Sequence, residues 1–119
     1  MNITELMESI KRNPRYADVG MVLYHNGVVR GTSRDGRPVK GLRIRVDHDK
    51  LAAVLTENRK KPGIMDIRVW INEDKDLTVG EDVMFLAVAG DIRENVLSTL
   101  ETTLNTIKST VTAKTEYFV

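Results

Sequence analysis

Hydrophobic positions along the chain change period several times, and each change marks an expected element. Ile3, Leu6, Met7 and Ile10 recur at helical spacing, which lays them on one face of a short amphipathic helix. Asn2 and Glu5 are spaced to form a capping box at its start. Pro14 sets its limit, because the residue before a proline avoids helical dihedrals. From Asp18 the period shortens to two. Val19, Met21 and Leu23 alternate, and Val28 and Val29 follow His25-Asn26-Gly27. Asn-Gly is a hairpin-turn signal, although a glycine kink within one bent strand leaves the same pattern.

Gly31 to Pro38 reads as a polar, mobile loop. Beyond it, Leu42, Ile44 and Val46 point one way while Arg43 and Arg45 point the other, as a half-buried strand requires. Asp47 or Asp49 caps the next helix, whose apolar stripe is Leu51, Val54 and Leu55. That helix ends in the basic run Asn58 to Lys61, where the helix dipole favours cations.

Met65, Ile67, Val69 and Ile71 alternate with Asp66, Arg68 and Trp70, the pattern of another strand. After an acidic loop from Glu73 to Asp76, the continuous apolar run Val83 to Ala89 predicts a central strand. Asp91 opens the longest helix, with Ile92, Val96, Leu100, Leu104, Ile107 and Val111 on one face. Thr112 to Val119 shows no clear period. The order helix, two strands, helix, two strands, helix does not fit a doubly wound sheet. It predicts one α+β domain over residues 1–119, with a largely antiparallel sheet and flanking helices.

Composition narrows the chemistry. With 119 residues, 41% hydrophobic and 29% charged, the chain fits one globular domain. A formal charge of +1 and little aromatic content argue against nucleic acid as the partner. The absence of cysteine excludes disulfides, thiolate metal sites and cysteine nucleophiles. No apolar run reaches a membrane span, and Met1 to Asn13 lacks a signal-peptide core, so a cytoplasmic protein is expected.

His25 and His48 have no companion ligands at metal-site spacing and read as turn or cap residues. Trp70 reads as a core or interface residue, and no P-loop, nucleophile elbow or dinucleotide fingerprint occurs. Neither a metal nor a cofactor is expected.

Two groups of residues suit an anion. Gly27 to Val46 concentrates Arg30, Arg34, Arg37, Lys40, Arg43 and Arg45 against the single acid Asp35. Arginine's planar fork of donors fits phosphate or carboxylate; a solvated loop beside a charge-protected edge strand explains the same residues. The second group is Arg93, at the start of the last helix, with Lys114 beyond its end. A helix N-terminus attracts anions, and a lysine near other cations can serve as base or nucleophile. Alternatively, Lys114 is a plain surface lysine.

Several of these pieces share an order and spacing with a known family. Gly27-Val28-Val29-Arg30, Gly36, Val39 and Leu42 precede Val79-Gly80-Glu81, the apolar strand to Ala89, Arg93 and the helix to Val111. In this respect the chain resembles the large, catalytic subunit of molybdopterin synthase across most of its length. The resemblance implies that family's α/β-hammerhead fold and its role in molybdenum cofactor biosynthesis. Such a subunit makes molybdopterin from a cyclic pyranopterin monophosphate. The sulfur comes from the thiocarboxylate of a ubiquitin-like small subunit.

By the same resemblance, the large subunits form a homodimer, Arg30 and Arg93 hold the substrate, and Lys114 is the catalytic amine. The lysine matches when one residue is deleted from the tail motif. Ile92 stands where the family has histidine, Ile44-Arg45 where it has Tyr-Glu, and Thr112-Ala113 where it has a longer tail motif. The family's further C-terminal lysine is expected to have no counterpart before Val119. Two readings follow: an active large subunit, or a relative that binds an anionic ligand or a protein partner without that catalysis.

Overall fold

A computed structural model describes all residues from Met1 to Val119. The elements in order are α1 (Ile3–Lys11), β1 (Met21–Val28), β2 (Val39–Val46), α2 (His48–Arg59), β3 (Ile64–Ile71), β4 (Leu77–Thr78), β5 (Asp82–Gly90), α3 (Arg93–Thr106) and β6 (Thr112–Phe118). A single π turn, Ile107–Val111, joins α3 to β6. The strands form two antiparallel three-stranded sheets, ordered β1-β5-β3 and β4-β2-β6. This is the expected α+β architecture with antiparallel strands and flanking helices.

The apolar run in β5 is continuous because both of its faces are covered. Met84, Leu86 and Val88 enter the main core with Ile67, Ile71, Val96, Ile107 and Val111. Phe85, Ala87 and Ala89 face the other way, where Leu6 and Ile10 of α1 cover them. Trp70 joins that second cluster and stacks on Phe85 with ring centroids 5.0 Å apart. A side chain placed in so tightly shared a strand is worth about 2–5 kcal/mol when cut back to alanine.

β2 alternates as its sequence requires. Leu42 and Ile44 are buried, whereas Lys40, Arg43 and Arg45 are exposed. Gly41 is also buried, and a Cβ there would collide with the Leu77 carbonyl of β4. The absence of a side chain is therefore what lets the short strand β4 pair at this point.

Asn2 and Asp47 cap α1 and α2, accepting from the backbone N–H groups of Glu5 and Lys50 at 2.8 and 3.1 Å. Asp91 lies one residue before the cap of α3. Its carboxylate accepts from the Ile92 backbone N–H and from Asn95 Nδ2, at 2.6 and 2.9 Å.

Three local expectations change. Asn26-Gly27 is not a turn: β1 runs through it, with a register shift between Gly27 and Val28, so the glycine marks a bend. The Gly31–Pro38 segment is folded on itself. Ser33 is buried, its backbone N–H donates to the Arg37 carbonyl at 2.9 Å, and its hydroxyl accepts from the Arg37 N–H at 3.1 Å. Arg37 also lies over the Phe118 ring, 3.7 Å from its centroid. Finally, the aperiodic tail is strand β6, paired with β2 from Val46↔Thr112 to Val39↔Phe118.

Candidate functional site

The junction between the two sheets leaves a cavity of about 360 Å³. Its apolar wall comes from Leu42 and Ile44 of β2, Ile71 of β3, Val83 and Met84 of β5, and Ile107. Four chemically active side chains also line it, each from a different element: His25 (β1), Arg34 (the loop before β2), Lys108 (the π turn) and Lys114 (β6). No aspartate or glutamate is in the lining. An apolar pocket with a few convergent polar groups is the usual form of a small-molecule site, and the fully charged groups of this one are all cationic.

Strand periodicity explains the placement of Lys114. It lies opposite Ile44, and Thr112 lies opposite Val46. Alternate residues of a strand share a face, so Thr112 and Lys114 look into the cavity with Leu42 and Ile44. Arg45, opposite Ala113, falls on the other face and is exposed. Its reversed charge relative to the resembled family is therefore not a charge in this cavity. The nearest acid to the Lys114 ammonium is Glu116, at 3.9 Å.

The π turn positions Lys108. Ile107 and Val111 on the same turn are buried in the main core, and Asp47 donates its backbone N–H to the Val111 carbonyl at 2.9 Å. With the turn pinned on its apolar side, Lys108 is left exposed at the cavity rim. Single π turns of this kind recur at functional sites.

Arg30 and Arg93 are placed differently. Arg30 is exposed and donates through Nε to the Thr32 carbonyl at 2.9 Å. Arg93 is exposed on the first turn of α3. Neither lines this cavity, so among the three residues singled out in the sequence only Lys114 does.

His25 and Lys108 were not chosen as site residues from the sequence, and Arg34 stood there only as one cation of the Gly27–Val46 group. The signal for His25 was its spacing from Leu23 and Gly27 on one face of a strand, which the Asn-Gly turn signal obscured. Its imidazole is not a turn group, because it sits inside β1 and faces the cavity. Burial, and secondarily the nearby Lys108 cation, hold it below the usual histidine range.

A second, more open depression of about 520 Å³ lies beside His48, Trp70 and Glu73. There His48 Nε2 and Glu73 Oε1 are paired at 2.7 Å, and the Glu73 carboxylate raises the His48 pKa. Its charged groups already satisfy each other. In the cationic cavity only Lys114 has an acid within 4 Å, Glu116 at 3.9 Å, and Arg34 and Lys108 have none.

Comparison with known proteins assigns this geometry to a family. A family profile described as MoaE protein matches residues 1–110. No curated protein sequence matches the chain. Among solved structures, a MoaE molybdopterin biosynthesis protein from Burkholderia ambifaria superposes with a TM-score of 0.76 at 17% identity, covering 100% of this chain and 82% of that one. Molybdopterin synthase from Staphylococcus aureus gives a TM-score of 0.72 at 22% identity, covering 85% of this chain and 76% of that chain. A complex of subunits 1 and 2 of the molybdopterin-converting factor from Helicobacter pylori gives 0.72 at 15% identity, covering 100% and 84%. At these identities the superpositions show a shared fold.

Proposed function

The chain belongs to the MoaE protein family, and on that premise we propose how its cavity serves molybdenum cofactor biosynthesis. It is a molybdopterin synthase large subunit whose cavity takes the cyclic pyranopterin monophosphate. Lys114 is the catalytic amine, and Lys108 and Arg34 supply charge for the phosphate. The observation that carries this reading is the convergence of Lys114, Lys108 and Arg34 on one apolar pocket free of acids.

The roles follow from residue chemistry. Ammonium and guanidinium groups give charge-assisted hydrogen bonds to phosphate oxygens. The wall of Leu42, Ile44, Ile71 and Met84 keeps water from the rest of the ligand, which strengthens those contacts. Lys114 stands on a paired strand rather than in a loose tail, so its amine is held in position. Positioned donors and amines supply orders of magnitude in rate. Arg30 and Arg93 remain ligand contacts in this proposal, acting from outside the lining of one chain's cavity. A homodimer offers the way for them to reach a bound substrate.

Sulfur is supplied by a ubiquitin-like small subunit ending in a glycine thiocarboxylate, whose tail enters the cavity. The two-subunit complex of the Helicobacter pylori relative supports such a partner. The chain works as one domain over residues 1–119, in the cytoplasm; none of its helices is long and apolar enough to cross a membrane.

The test is reconstitution with a thiocarboxylated small subunit and the cyclic pterin. The wild-type chain is expected to yield molybdopterin only when both are present. A folded chain that makes no product with a competent partner would return the site to anion binding without catalysis.

A further inference from the structure

Lys114, Lys108 and Arg34 account for an anion, but they leave one lining group unused. His25 Nε2 is buried and has no hydrogen-bond partner anywhere in the chain. A buried, unpartnered ring nitrogen costs on the order of 1–3 kcal/mol, a cost that a ligand can remove. The ring is not excluded from the cavity by its neighbours. The next residue on the same face is Gly27, and a Cβ there would lie 3.5 Å from His25 Nε2 and 3.4 Å from the Met84 side chain. The imidazole itself lines the cavity, and with glycine at this position no Cβ packs against the nitrogen.

Resting on the reading that the cavity holds a pterin phosphate, we propose that His25 contacts the heterocycle of that ligand through its imidazole, the ring turning in place to present Nε2. It is a specificity residue for the ring system rather than for the phosphate. Three observations support the division of labour. The groups facing His25 from the other elements are cationic or apolar apart from the Thr112 hydroxyl, which donates to the Ile107 carbonyl at 3.3 Å: Arg34 from the loop, Lys108 from the π turn and Lys114 from β6, with Val83 and Met84 of β5, Leu42 and Ile44 of β2 and Ile71 of β3. Lys108 and Arg34 already serve the phosphate and Lys114 the reaction, so a fourth cation is not needed. Burial and Lys108 both favour the uncharged imidazole, and a neutral ring offers one donor and one acceptor. That is the complement of a pterin edge, which carries ring nitrogens, N–H groups and a carbonyl.

The test measures equilibrium binding of the cyclic pyranopterin monophosphate, without small subunit, to the wild type, His25→Phe, His25→Gln and Lys114→Ala. ¹⁵N spectra of the histidine ring in the wild type are recorded with and without ligand. Loss of one hydrogen bond in His25→Phe is expected to weaken binding about tenfold. His25→Gln, which restores a polar group, should recover part of the loss, and the His25 Nε2 resonance should shift on ligand addition. Wild-type affinity in both His25 variants together with an unmoved resonance would overturn the proposal while leaving the pterin site standing, provided Lys114→Ala still weakens binding. No binding by the wild type would overturn the pterin reading itself and this inference with it. The ring spectra need no substitution, so a variant that fails to fold does not remove the test.

Discussion

Strands β5 and β6 show how differently one chain can write its core and its chemistry. Residues Met84 to Gly90 of β5 are all buried, and β5 is hydrogen-bonded on both sides. β6 is an edge strand with no fully buried residue, paired only with β2. The first strand carries the hydrophobic cores of both faces. The second carries Lys114 into the cavity. Stability is concentrated where the sequence is uniformly apolar, and the proposed reactivity lies where it is polar and short-range pattern is weak.

That contrast can be broken at the β5 end first. Leu86→Ala removes a fully buried side chain from the main core. It should lower unfolding free energy by about 2–5 kcal/mol in a denaturant titration. Asp66 comes next: it is buried in β3, accepts from Asn13 Nδ2 at 3.0 Å and pairs with Arg68 Nε at 3.0 Å. Asp66→Ala removes the buried acceptor that Asn13 and Arg68 share and should cost about 1–3 kcal/mol.

On the β6 side, Thr115 is exposed and faces away from Lys114's side of the strand. Thr115→Ser should change stability by no more than about 0.5 kcal/mol. A large loss there would show that β6 also belongs to the folding core.

The smallest expected effect is a pH dependence at His48. Its pKa is raised from 6.5, mainly by the hydrogen bond to Glu73 and then by that carboxylate's charge. A raised folded-state pKa contributes stability that is full below the unfolded value and is lost as pH rises through the folded value. Thermal melts of the wild type should therefore fall slightly as pH rises from 6 towards 8, the exact fall being small because the pair is solvent-accessible. His48→Ala should flatten that slope.

The same contrast explains what was legible in the sequence. β5, α3 and the alternation of β2 follow from local period because each has a continuous apolar face against the core. β6 was not legible as a strand. Its residues Ala113, Lys114 and Thr115 are exposed, and it is fixed by pairing with β2, some 70 residues earlier in the chain. Asn26-Gly27 left a turn and a bent strand both open for a related reason: pairing with Met84 and Phe85, which local pattern does not show, decides for the bent strand. The internal fold of Gly31 to Pro38 was not legible because Ser33 and Arg37 bond within the segment, and such contacts leave no period to read.

The site was legible in part. Lys114 came from a family motif, and its orientation came only from the β2–β6 register. Lys108 and Arg34 drew no individual assignment, since their position at the cavity depends on where a π turn and a closed loop aim them. His25 was masked by the turn reading of its neighbours. Arg30 and Arg93 matched the family motif but lie outside the lining of the cavity, which pattern matching along one chain does not distinguish.

The most direct measurement of the central claim is molybdopterin formation by Lys114→Ala with a thiocarboxylated small subunit and the cyclic pterin. Circular dichroism and a melt should first show the variant folded as the wild type, because the replaced side chain is exposed on an edge strand. The rate is then predicted to fall by about a hundredfold or more. A folded Lys114→Ala chain that forms molybdopterin at the wild-type rate would contradict the assignment of the reaction to this cavity.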